Sequence, residues 1–153
     1  MIHLKKILLV EDNPQDVELT VEALSELNLA NRLVILSDWV EAMDYLLCDG
    51  KYKHREPEYP AVILMDIKMP RMDGIEVLGA IKTNSDLMAI PVVMLTSSRE
   101  EPDLEKCYKL GVNAYVVKPV NFKDFFGAIK QLGIFWAMLN ELPQDGGLMN
   151  GNK

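Results

Sequence analysis

The chain has 153 residues, 49% hydrophobic and 25% charged, which suits one globular domain with a sizeable core. A net charge of −7 and a pI near 4.8 argue against general attraction to nucleic acid or to an anionic membrane. Cys48 and Cys107 lie far apart without CxxC spacing, and His3 and His54 form no ligand cluster with them, so neither a disulfide framework nor a zinc site is expected. The apolar run near the N-terminus is too short for a signal peptide or membrane span, and a cytoplasmic protein is the expectation.

Strand-like and helix-like segments alternate along the chain. "KILLV", Lys6–Val10, predicts the first strand, and Asn13 caps a helix over Pro14–Leu27. "RLVIL", Arg32–Leu36, precedes a helix over Trp39–Leu47 whose Asp38 and Glu41 are spaced as a capping box. The segment "CDGKYKHREPEYP", Cys48–Pro60, is expected to be a charged surface insertion. "AVILM", Ala61–Met65, then leads through a turn with Pro70, Asp73 and Gly74 to a helix over Gly74–Thr83. "PVVML", Pro91–Leu95, is followed by a helix near Glu100–Leu110, with Ser98 and Glu101 in capping-box spacing. "AYVV", Ala114–Val117, is followed by a last helix from Asn121 to about Leu139, with Asn121 and Asp124 at the cap. Four of the five strand runs are continuously apolar, as strands covered on both faces require. The pattern is (βα)₅, a parallel sheet with helices on both faces. In such sheets the site lies beyond the C-terminal strand ends.

Those strand ends carry chemistry. Glu11 and Asp12 follow the first, Asp66 the third, Thr96 and Ser97 the fourth, and Lys118 the fifth. Three carboxylates in one crevice repel each other unless cations intervene, and Lys118 alone is not enough. A divalent cation is therefore expected, and the oxygen donors suit Mg²⁺. Asp66, at a strand end beside metal and lysine, is placed to act as a nucleophile toward a phosphoryl group. Mg²⁺ and Lys118 would offset its charge, and the Thr96 hydroxyl would donate to one of its oxygens.

"VEDN", "MDIKMPRMDG", "VVMLTSS" and "LGVNAYVVKPV" together resemble the blocks of the response-regulator receiver domain of two-component signalling. Asp66 to Thr96 is 30 residues, Thr96 to Tyr115 is 19 and Tyr115 to Lys118 is 3, as in that family. The resemblance covers about residues 4 to 135. It implies the flavodoxin-like doubly wound fold with strand order 2-1-3-4-5 and a signalling protein rather than an enzyme, one that catalyses only its own phosphotransfer and autodephosphorylation. It also implies Asp66 as phosphoacceptor, Asp12 on the metal directly, Glu11 through water, and the Lys68 backbone carbonyl as a further ligand. Thr96 and Lys118 would contact the phosphoryl group, Tyr115 would be the rotamer-switching aromatic, and Lys118–Pro119 a cis peptide. The insertion and the long last helix are similar to the stand-alone receivers of bacterial phytochromes, so the expected partner is a histidine kinase, a phytochrome-type photoreceptor by that likeness.

Other readings stay beside these. Tyr115 taken alone is more simply a half-buried strand aromatic, and its place three residues before Lys118 is what lifts it. Lys68 and Ser98 stand where family members tune acyl-phosphate lifetime, and surface solvation explains them as well. Ser97 needs no role beyond its small size, and Asp73 and Gly74 are explained by turn chemistry. On the last helix Phe125, Ile129, Leu132 and Trp136 form the core stripe. Phe122, Phe126, Phe135 and Met138 fall off it, and with Trp136 they predict a homodimer or partner contact through the last two helices and the fifth strand. The receiver domain is expected over 4–140, with a polar, disordered tail over 141–153 and no output domain after it. Two other functions compete with a phosphorylated regulator. One is a receiver-like interaction module that works without phosphate. The other is an aspartyl-phosphate hydrolase, whose usual second aspartate is here Lys68.

Overall fold

A computed structural model describes residues 5–69, 72–97, 100–119 and 121–141. Five strands form one parallel sheet: β1 (Ile7–Val10), β2 (Leu33–Leu36), β3 (Val62–Met65), β6 (Val92–Thr96) and β7 (Ala114–Val117), in the order β2-β1-β3-β6-β7. Between β3 and β6 a two-residue antiparallel ladder, β4 (Lys68–Met69) with β5 (Met72–Asp73), stands apart from that sheet. The large sheet therefore has the expected 2-1-3-4-5 topology. Register is continuous across its centre, with Leu8 beside Val34 and Ile63, and Leu64 beside Val93.

Successive residues of a strand point to opposite faces, so one apolar run feeds two cores. Leu8, Val10, Ile63, Met65, Val92 and Met94 face α2 (Trp39–Leu47), α3 (Gly74–Thr83) and α4 (Glu101–Leu110). Ile7, Leu9, Val62, Leu64, Val93 and Leu95 face α1 (Pro14–Ser25) and α5 (Phe122–Leu132). Within the five-stranded sheet only β1, β3 and β6 are buried throughout. The outer strands β2 and β7 are only partly covered, with Ile35 exposed, because an edge strand has no neighbour on one side.

The caps explain where the helices start. Asn13 Oδ1 accepts the Gln15 and Asp16 amides, Asp38 accepts the Glu41 amide, and Asn121 Oδ1 accepts the Asp124 amide. At α4 the expected cap differs. Ser98 lies outside the described residues, and the helix follows Glu100 without a side-chain cap bond, with Pro102 in its first turn, where a missing amide hydrogen costs nothing. The last helix also differs from expectation. α5 ends at Leu132 and a π-helical segment, Gly133–Leu139, continues it, closed by an Asn140 amide to Phe135 carbonyl bond of 2.8 Å. Gly133 is buried against α1, and a Cβ there would stand 2.9 Å from Leu24 Cδ2.

The insertion lies largely at the surface, as expected, and it is ordered against the end of α2. Cys48 ends α2 in the left-handed conformation at φ 56°, and Gly50–Tyr52 form a turn of 3₁₀-helix. Arg55 then reaches back, donating from Nε at 3.0 Å and Nη2 at 2.7 Å to the Tyr45 carbonyl, with its guanidinium carbon 4.1 Å from the Tyr45 ring centre. Tyr52 meets Tyr45 edge-on and donates to Glu41 Oε2, while Lys51 pairs with Glu41. One guanidinium thus satisfies a helix-end carbonyl and covers an aromatic face, which fastens the insertion to α2. Residues 142–153 of the expected tail lie outside the described residues.

Candidate functional site

Parallel pairing brings the C-terminal ends of all five strands to one edge of the sheet. Glu11 follows β1 and its amide donates to the Leu36 carbonyl of β2. Asp66 follows β3, Thr96 is the last residue of β6, and the Lys118 amide donates to the Thr96 carbonyl at 2.7 Å. Glu11, Asp66 and Thr96 are 4%, 9% and 1% exposed, so two carboxylates sit where an unpaired charge would be costly.

Lys118 supplies their partner. Its Nζ stands 2.9 Å from Glu11 Oε1, 3.1 Å from Asp66 Oδ2 and 2.6 Å from Asp16 Oδ2. Burial works against the ammonium, but hydrogen bonds to Asp16 and Glu11 outweigh it and raise its pKa well above the usual lysine range. Burial also raises the Glu11 carboxyl above the usual carboxylate range, against the lowering by Lys118 and by the Asn13 amide at 3.2 Å.

Asp16 is the residue the sequence reasoning missed. It lies in the first turn of α1, four residues after Asp12, where an acid is ordinarily explained by the helix dipole. Its closeness to Lys118 depends on the fold bringing the start of α1 and the end of β7 to one edge of the sheet, which no local pattern encodes.

The other expected site residues fall as follows. Asp12 is exposed beside Glu11. Lys68 is paired with Asp73 in the small ladder just after Asp66. Tyr115, beside Met94 in the sheet, is half-buried and packs against the core on the α2–α4 side. Ser97 is exposed and Ser98 lies outside the described residues. Asp73 caps α3 by accepting the Ile75 amide, as its turn chemistry predicts. Gly74 has a second role. A Cβ there would lie 2.2 Å from the Asp66 carbonyl oxygen, so only glycine lets α3 start against the backbone of Asp66. The expected cis peptide is absent. No described bond is cis, and Lys118–Pro119 takes the trans form that proline amides ordinarily prefer.

Of the expected interface residues, Phe122, Phe135 and Met138 are exposed, at 59%, 48% and 52%. Phe126, on α5, and Trp136, on the segment that continues it, are half-buried and pack against the core on the α1–α5 side. Phe126 stacks on Phe122, and Trp136 meets Phe135 edge-on. Ile134 and Leu139, which sequence spacing did not single out, are exposed with them.

Among the described residues no three of His, Cys, Asp or Glu form a ready-made metal cage, since the Lys118 ammonium bridges the acids. The donors nevertheless fit a hard cation in kind. They are carboxylate oxygens, and Glu11 is a buried acid whose charge Lys118 offsets only in part. No helix among the described residues is long and apolar enough to cross a membrane.

Known proteins share this fold. The response regulator receiver domain pattern matches residues 7–130. Response regulator Rcp1 of Synechocystis sp. is 42% identical over 139 residues, spanning 91% of this chain and 93% of that protein. The Mn²⁺-bound crystal structure of Rcp1 superposes with a TM-score of 0.82 at 40% identity, covering 92% of this chain and 99% of that one. The phosphorylated cyanobacterial phytochrome response regulator RcpA gives 0.86 at 39% identity, covering 93% of this chain and all of that one. The bacteriophytochrome response regulator AtBRR gives 0.71 at 57% identity, covering 92% of this chain and all of that one. The buried acids, the threonine and the bridging lysine thus occur in a chain that belongs to the response regulator receiver domain family, similar to the phytochrome response regulators within it.

Proposed function

We propose that Asp66 accepts a phosphoryl group from the phosphohistidine of a sensor histidine kinase, in a Mg²⁺-dependent, in-line transfer. The observation that carries this proposal is the Lys118 ammonium 3.1 Å from Asp66 Oδ2 at the C-terminal edge of the sheet. An Asp66 carboxylate oxygen forms the new P–O bond as the P–N bond to the donor imidazole breaks, and the departing nitrogen keeps that electron pair. Mg²⁺, held by Glu11, Asp12, Asp66 and the Lys68 carbonyl, would supply charge neutralisation at the phosphoryl oxygens. Lys118 offsets charge on the transferring group, and the Thr96 hydroxyl donates to one of its oxygens. Drawing Thr96 toward the phosphate opens space into which Tyr115 turns, so a local charge event biases the partner-facing surface. The likeness to Rcp1 and RcpA supports a phytochrome-type kinase as the donor.

Incubation with Mg²⁺ and acetyl phosphate should add one phosphate to the intact mass, transiently, and Asp66→Asn should abolish it. Loss of the adduct with time, without turnover of unrelated phosphate esters, separates this function from a hydrolase. No adduct in the wild type would favour the interaction module.

The exposed Phe122, Ile134, Phe135, Met138 and Leu139 support a homodimer through α5 and the segment that continues it, in a chain of net charge −7. Phe135→Glu combined with Met138→Lys should delay size-exclusion elution to the monomer position. Unchanged elution would refute the dimer contact.

A further inference from the structure

We infer that Asp16 is a positioning residue that holds the Lys118 ammonium in the resting protein and competes with the incoming phosphoryl group for it. The inference rests on the phosphoacceptor role of Asp66 for its kinetic consequence, and on geometry for the contact itself. An ammonium has three N–H donors, and Lys118 has three carboxylate acceptors: Asp16 at 2.6 Å, Glu11 at 2.9 Å and Asp66 at 3.1 Å. A phosphoryl oxygen can gain a hydrogen bond from Lys118 only if one of these is given up.

Asp16 is the partner that can yield. The Glu11 side chain is 4% exposed and is also held by the Asn13 amide, so releasing it would strand a buried charge. Asp66 carries the phosphoryl group and stays beside the lysine. The Asp16 side chain is 23% exposed, so water can take over its hydrogen bonds, and the N-terminus of α1 favours its charge after release. Its backbone stays anchored meanwhile. The Asp16 amide donates to Asn13 Oδ1 at 3.2 Å, and its carbonyl accepts from the buried Thr20 hydroxyl at 2.8 Å. The carboxylate can therefore swing without unfolding the first turn.

A contact made in the resting state and lost during transfer slows the forward step. Asp16→Asn keeps size and shape while removing the charge. It should raise the rate of adduct formation at saturating acetyl phosphate about fivefold, the scale of one partly exposed charged pair. Loss of phosphate from the adduct should keep its wild-type rate, because Lys118 has already left Asp16 in that state. Asp16→Glu, which restores the charge, should return the forward rate toward wild type. A purely structural role would instead slow both steps, or leave both unchanged.

A second readout needs no phosphorylation. Reductive methylation followed by peptide mass spectrometry should label Lys118 about fivefold faster in Asp16→Asn, at unchanged rates for the exposed lysines. Faster labelling without any wild-type adduct would uphold the tether and refute the phosphoacceptor role. Labelling unchanged, or a forward rate that fails to rise while the wild type forms its adduct, would overturn the tether.

Discussion

Two lysines at opposite edges of the same sheet show how differently a buried ammonium can be used. At the C-terminal edge Lys118 is surrounded by three carboxylates, and its charge is held firmly. Near the N-terminal ends of β6 and β7, Lys82 donates to the Met88 carbonyl at 3.2 Å, the Ile90 carbonyl at 2.8 Å and Asn113 Oδ1 at 2.9 Å. All three are neutral, and burial lowers the Lys82 pKa below the usual lysine range. Asn113 also accepts the Val92 amide, so this lysine ties α3 to the turns that start two strands. Neutral dipoles make a fixed clasp. Excess carboxylates make a site whose partners can be exchanged for another anion or another cation.

The largest test of this contrast is to remove each ammonium in turn. Without divalent cation, Lys118→Met should lose about 3 kcal/mol of stability, because the buried Glu11 and Asp66 carboxylates lose the ammonium that links them. Its adduct formation should fall at least about tenfold, and Mg²⁺ should restore much of the stability but not the transfer. Lys82→Met should lose less, about 1 kcal/mol, chiefly through the carbonyl of the buried Ile90. It should form adduct at the wild-type rate and gain nothing from Mg²⁺. Denaturant melts with and without Mg²⁺, paired with intact mass, check both. If Mg²⁺ rescued both variants or neither, the contrast would fail.

A smaller effect sharpens it. The folded Lys82 pKa lies below its unfolded value of 10.5, so its charge opposes folding at neutral pH. Between the lowered pKa and 10.5 the unfolded chain binds more protons than the folded one, so this lysine makes stability rise with pH in that window. Lys82→Met should remove that rise, seen as a lower slope of stability against pH than in the wild type.

The central strands were legible almost to the residue because β1, β3 and β6 are unbroken apolar runs bounded by acids, turns or polar caps. Glu11, Asp66, Thr96 and Lys118 were legible as a group because strand ends in a parallel sheet share one edge. The β4–β5 ladder was not, since two residues on each side carry no period. Arg55 looked like one charge in a charged loop, and only the folded end of α2 shows why it is there. Asp16 and Lys82 were hidden for a related reason. Each looks like an ordinary helical surface residue until elements distant in sequence close around it.

The π-helical segment at Gly133–Leu139 bears on how such chains can diverge. A π turn takes up one residue more than an α turn, so a chain one residue shorter there can still close a regular helix. A regular helix of unchanged length would instead turn Met138 and Leu139 to a new azimuth without altering a single side chain. Helical winding, as well as composition, is then a means by which this apolar tip can be aimed at a different neighbour.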